Sequence, residues 1–183
     1  MSISVDGLNA EIRNPVPPRL CNVERLLHAM SSRGVDGIVA TTDLNVFYLS
    51  SFSSIAHKAD EPRPYAIIIS RHLPNEPIAI VADYYLSSFM NQPSWIEDIR
   101  PFRAVMMGLD QTPHKNDIEG FIPKHGNSLQ WVQNARKYYS FNMNDCLKDA
   151  IQDLGLGAGR IAFDDLGFGA RLKIEEAEVV DGY

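Results

Sequence analysis

Cysteine is nearly absent. Cys21 and Cys146 stand alone, far apart and without CxxC spacing. That rules against a disulfide framework and reads as two thiols in a reducing compartment. Basic residues are also in deficit: 17 Lys and Arg face 23 Asp and Glu, for a net charge of −6, and no Lys/Arg run concentrates them. Such a field repels a phosphate backbone, so nucleic acid is not expected as a partner. No apolar run approaches the length of a membrane span, and the start lacks the charged and apolar segments of a signal peptide. A soluble cytoplasmic protein with no membrane partner is expected. Compact catalytic signatures are missing too. His28, His57, His72, His114 and His125 form no HxH, HExxH or His/Cys zinc spacing, and there is no GxSxG elbow. The residues themselves therefore give no catalytic group and no metal ligand.

What is present is an ordinary globular composition, 45% hydrophobic and 22% charged over 183 residues. That length suits one large domain or two small ones with a real core. Residues 1–18 end in Pro-Val-Pro-Pro and read as an extended arm. The remainder, 19–183, reads as a single domain. A helix is expected over about Arg19–Arg33, where Val23, Leu26, Leu27 and Met30 make one apolar stripe that Gly34 ends. Gly37–Thr41 is a short strand buried on both faces. Thr42 or Asp43 then caps a helix carrying Leu44, Phe47 and Tyr48 on one side.

Ser53 to Pro64 has no usable period, and loops this long are often functional. YAIIIS (65–70) and PIAIVA (77–82) read as a β-hairpin, which makes the sheet mixed. Asp83 caps a helix reaching Asn91. Ile96–Phe102 is an edge strand, because Pro101 cannot donate to a ladder. Ala104 to Gly126 has no clear pattern and reads as an insertion or loop. Helices are expected near 128–139 and 144–154, strands at Arg160–Asp164 and from Glu178, and a capped turn or short helix at 165–171.

Several smaller patterns have two readings. The glycines of GLGAG (155–159) suggest a phosphate loop, yet they follow a helix and open a strand, the reverse of what a phosphate site needs. Asp164 and Asp165 end a buried strand, where paired carboxylates either hold a divalent ion or cap a corner; capping is the simpler account. Arg63, stiffened by Pro62 and Pro64, is either a solvated surface group or a bidentate grip for a carboxylate.

Taken together, the stretch RLLHAMSSRGVDGIVATTDLNVFYLSSF, the hairpin YAIIIS…PIAIVA, the WIEDIR segment and the IAFDD strand resemble the amino-terminal domain of the creatinase/prolidase family. The family's pattern at the first corner is close to R…L…M…G.D…….N..Y.SGF. It is matched by Arg25, Leu26, Met30, Gly34, Asp36, Asn45, Tyr48, Ser50 and Phe52, with Ser51 standing where glycine is usual. The resemblance covers roughly 20–182. It implies an α/β fold, a mixed β-sheet flanked by helices on both faces and similar to the ribonuclease H-like architecture.

It also implies a following "pita-bread" catalytic domain in the same protein, with the end of this sequence near the linker to it. That domain would carry the chemistry: Xaa-Pro peptide hydrolysis, creatine hydrolysis or a related cleavage, often with divalent metal (Mn, Co or Zn). This chain would then be non-catalytic and hold no cofactor. It would take part in a homodimer and cover the partner subunit's active site. Within that picture Arg63, and after it His57, would bind substrate in trans. Two rivals belong to other classes: a ribonuclease H-like nuclease using Asp164 and Asp165, and a stand-alone binding or dimerisation module.

Overall fold

The computed structural model describes residues 18–52, 65–92, 94–104, 115–122, 126–171 and 177–182. A six-stranded sheet organises them, in the order β4-β3-β2-β1-β5-β6. The strands are β1 (Gly37–Ala40), β2 (Tyr65–Ser70), β3 (Ile78–Ala82), β4 (Asp98–Phe102), β5 (Arg160–Phe163) and β6 (Glu178–Asp181). Only β2 runs against the rest: it pairs antiparallel with β1 and β3, while β1–β5, β3–β4 and β5–β6 are parallel. Five strands therefore end, and β2 begins, along one edge, called here the carboxyl end of the sheet.

β2 and β3 are buried at every position, as expected of apolar runs with no polar alternation that are covered on both faces. On one face lie α1 (Val23–Ser32), α2 (Asp43–Ser50) and α4 (Gln130–Lys137), packed on Ile38, Ala40, Ile67, Ile69, Val81 and Ile99. On the other, α5 (Met143–Asp153) sets Cys146, Leu147, Ala150 and Ile151 against Val39, Ala66, Ile68, Ile80 and Phe163. α6 (Leu166–Arg171) packs on β5 and β6. The expected mixed sheet with helices on both faces is the observed architecture. No helix among the described residues is long and apolar enough to cross a membrane.

Three local differences have physical causes. α1 starts at Val23, because Asn22 caps it by accepting a 3.0 Å bond from the Arg25 amide. The residues before it are held by α2 instead: the Ser51 hydroxyl donates to the Pro18 carbonyl and the Asn22 amide to the Tyr48 hydroxyl. The single helix expected over 83–91 is a 3-10 turn (Asp83–Tyr85) followed by the short α3 (Ser88–Asn91). Asp83 is turned into the core, where its carboxylate accepts from Tyr139 as well as from the Tyr84 amide. Lastly, the side of α2 carrying Leu44, Phe47 and Tyr48 faces solvent, and Val46, Leu49 and Ser50 face inward.

Candidate functional site

Open α/β sheets place their ligands outside the carboxyl ends of their strands, and here Phe52 and Tyr65, on either side of segment 53–64, lie at that end. Segment 53–64 leaves from Phe52 and returns at Tyr65, the first residue of β2. Its two ends are pinned together. The Phe52 ring lies edge-on to Tyr65 with centroids 5.7 Å apart, and stacks on Phe89 at 4.0 Å with 9° between planes. Phe52 is 1% exposed. The base is fixed from the helix side as well: the Leu49 and Ser50 carbonyls at the end of α2 accept from the Trp95 indole and the Ser94 hydroxyl.

Ser51 makes the bend. It has φ 57°, the sole positive value among described residues other than glycine. A side chain there strains the backbone, which accounts for the glycine usual at this point of the family pattern.

Two carboxylates, the partly buried Asp164 and the buried Asp83, mark the same end of the sheet. Asp164, directly after β5, accepts five bonds. They come from the amide and hydroxyl of Thr41 (2.8 and 2.9 Å), the amide and hydroxyl of Thr42 (2.9 and 2.6 Å), and the Asn45 amide group (3.0 Å). Burial pushes this carboxyl up, but the bonds from Thr42, Asn45 and Thr41 outweigh burial and hold it below the usual range. Asp83, directly after β3, accepts from Tyr139 at 2.8 Å, the Tyr84 amide at 2.8 Å and the Ala104 amide at 3.3 Å. Burial dominates there, so its carboxyl is raised despite those bonds. Both groups tie the ends of strands to other segments. Asp164 joins β5 to the start of α2; Asp83 joins β3 to the residues after α4 and after β4.

The residues singled out from sequence are not brought together. Arg63 and His57 lie outside the described residues, as do His114 and His125. His28 is exposed on α1. His72 is at the opposite end of the sheet, with Nε2 3.2 Å from Asp36. Asp164 is filled by donors of its own chain, and Asp165 leads α6, its carbonyl accepting from the Gly169 amide. Corner-tying, rather than a metal pair, describes them. Among the described residues no three His, Cys, Asp or Glu side chains group so as to hold a metal ion.

Sequence reasoning missed Asp83 and Arg100. The Arg100 side chain, on the edge strand β4, is 4% exposed. It is bound by Asp98 at 2.9 Å and Asp153 at 2.6 Å and stacks on the Tyr138 ring at 3.9 Å. It lines a cavity of about 620 Å³ with Trp95, Glu97 and Tyr138 at the amino end of β3 and β4. Asp98 is two residues from Arg100 and Tyr84 is next to Asp83, but Asp153 and Tyr138, and for Asp83 Tyr139, are distant in sequence, and no local pattern announces them.

Comparison with known proteins adds the fold's relatives. No protein-family model and no curated protein matches the sequence. Solved structures do. A prolidase from Thermococcus sibiricus is similar with TM-score 0.52 at 10% identity, over 90% of this chain and 35% of that one. A dipeptidase from Pyrococcus horikoshii OT3 gives 0.51 at 13%, over 88% and 34%. The domain shares its fold with about a third of each of these two chains. A proline dipeptidase structure from Streptococcus pneumoniae TIGR4 gives 0.50 at 15% identity, over 87% of this chain and 90% of that one. At these identities the likeness is one of fold, and that fold is the one the creatinase/prolidase resemblance implied.

Proposed function

We propose that this chain is the non-catalytic amino-terminal domain of a creatinase/prolidase-like hydrolase, an Xaa-Pro peptidase or amidinohydrolase. In this reading it contributes to dimerisation and covers the active site of the partner subunit. The observation that carries the reading is the shared fold with part of a prolidase and part of a dipeptidase, each about three times as long as the stretch they have in common with it. The chemistry, with divalent Mn, Co or Zn, belongs to a following catalytic domain.

The contribution of this domain to substrate comes from segment 53–64. The residues on either side of it, Phe52 and Tyr65, are in edge-on ring contact. Arg63 is the proposed substrate-binding residue, gripping a carboxylate through its planar fork, with His57 second to it. The nuclease reading is disfavoured by the five donors already spent on Asp164. The test is an assay of the 183-residue chain with Mn²⁺, Co²⁺ or Zn²⁺ against Xaa-Pro dipeptides and creatine. No turnover is expected, whereas clear turnover abolished by a chelator contradicts the proposal.

A further inference from the structure

Residues 18–22 form no helix or strand, and all of them but Cys21 are exposed. They are nevertheless held to the last turn of α2 and to Trp95. The Ser51 hydroxyl donates to the Pro18 carbonyl at 2.8 Å, and the Asn22 amide donates to the Tyr48 hydroxyl at 3.2 Å. The Arg19 guanidinium lies 4.0 Å from the centre of the Trp95 ring. Cys21 is 5% exposed and belongs to the same apolar cluster as Val46, Leu49 and Phe52. One buried side chain and a few surface contacts are the profile of a unit that opens locally, at far less cost than global unfolding.

Ser51 is where these contacts meet the bend. It caps α2 in the left-handed conformation, with φ 57° and ψ 13°, and its amide donates to the Phe47 carbonyl at 2.8 Å. Glycine adopts that conformation without strain, and serine does not. Glycine has no hydroxyl, however, and could not make the bond to Pro18. Trp95 ties the same turn of α2: its indole donates to the Leu49 carbonyl at 3.0 Å while its ring carries Arg19. Phe52 follows the bend directly, and its amide donates to the Ser50 hydroxyl at 3.1 Å.

We infer that residues 18–22 are a strap that opens and closes as one unit over the last turn of α2, fastened by the Ser51 hydroxyl. Strap and bend are coupled. With the strap closed, the Ser51–Pro18 bond offsets the strain of the left-handed backbone. With it open, the strain stands alone and the bend relaxes. Phe52, the last residue before segment 53–64, is therefore held in place only while the strap is closed. A glycine at this position would keep the bend in either state; the serine makes the bend conditional on the strap. The device lies wholly within this chain and needs no second domain.

The test uses the 183-residue chain and its two native thiols, Cys21 in the strap and Cys146 on α5, both buried. Maleimide modification is timed at each by peptide mass, and amide exchange is followed at Phe52. In the parent, Cys21 reacts faster than Cys146 by about tenfold or more, because the strap opens without α5. Ser51→Gly speeds Cys21 by about threefold or more, the size of one hydrogen bond, without speeding Cys146 or the exchange at Phe52. Tyr48→Phe, which removes the acceptor of the Asn22 amide, speeds Cys21 and the Phe52 exchange together. Equal rates at the two thiols of the parent overturn the strap, since it then opens only with the whole domain. In Ser51→Gly, an unchanged Cys21, or both thiols speeding alike, overturns the fastening. Exchange at Phe52 that does not respond to Tyr48→Phe overturns the coupling.

Discussion

The two ends of the sheet are built on opposite plans. At the amino end charges are closed on one another. Asp36 accepts from the Arg160 amide at 3.0 Å and Arg71 at 2.6 Å, next to His72. Arg100 is shared by Asp98 and Asp153. At the carboxyl end the carboxylates of Asp164 and Asp83 serve backbone amides, hydroxyls and a side-chain amide instead, the loop base is aromatic, and α2 turns an apolar stripe to solvent. An end saturated with its own ion pairs has little left to offer a partner. An end whose polar groups are spent on holding loops and whose apolar groups are left outside is prepared for one.

This contrast can be broken by mutation, beginning with the loop base. Phe52→Ala removes a buried ring stacked on Phe89 and in edge contact with Tyr65. It should cost about 4 kcal/mol of stability in denaturant unfolding; a loss no larger than that of a surface substitution would mean that the aromatic base does not hold the segment. Next comes Asp164→Ala, which leaves the Thr41 and Thr42 amides and Asn45 without their acceptor. A loss of about 3 kcal/mol is expected, with Asp164→Asn less damaging because one carbonyl oxygen remains. If both substitutions were neutral, the cradle would be incidental.

The smallest effect belongs to the amino end. The Arg160 amide, Arg71 and His72 hold the Asp36 carboxyl down to about 2 from its ordinary 3.8. A depressed carboxylate contributes stability above its unfolded value and loses it as pH falls through the folded one. Acid melting should therefore show Asp36 supporting the fold above pH 3.8 and the support fading towards pH 2. Asp36→Asn should flatten that part of the curve, and an unchanged curve would remove Asp36 from the account.

What could be read from the sequence was local. The stripes of α1 and α5 and the apolar runs of β2 and β3 each carry their own period, and Gly34 at φ 64° ends α1 as its position suggests. The contacts that define the candidate site are distant. Asp164 finds Thr41, Thr42 and Asn45 across 119 to 123 residues, and Asp83 finds Tyr139 across 56. No propensity or period reports such pairings. The broken helix after β3 follows from one of them, since drawing Asp83 inward bends the chain just where capping would have begun a longer helix. The family pattern held part of the missing information. Asn45 is one of the donors to Asp164, Asp36 gathers β1, β2 and β5 at the amino end, and the place of the usual glycine is the left-handed bend at Ser51.

The proposed role of this domain is to lend Arg63 to an active site carried elsewhere in a larger enzyme. Its most direct test is the KM of the complete enzyme for carboxylate-bearing substrates, compared between the parent and Arg63→Ala. The account predicts a KM raised by about tenfold or more, the size of one lost charge-assisted pair, with the thermal unfolding of the domain unchanged. An unaltered KM with a stable domain would contradict it.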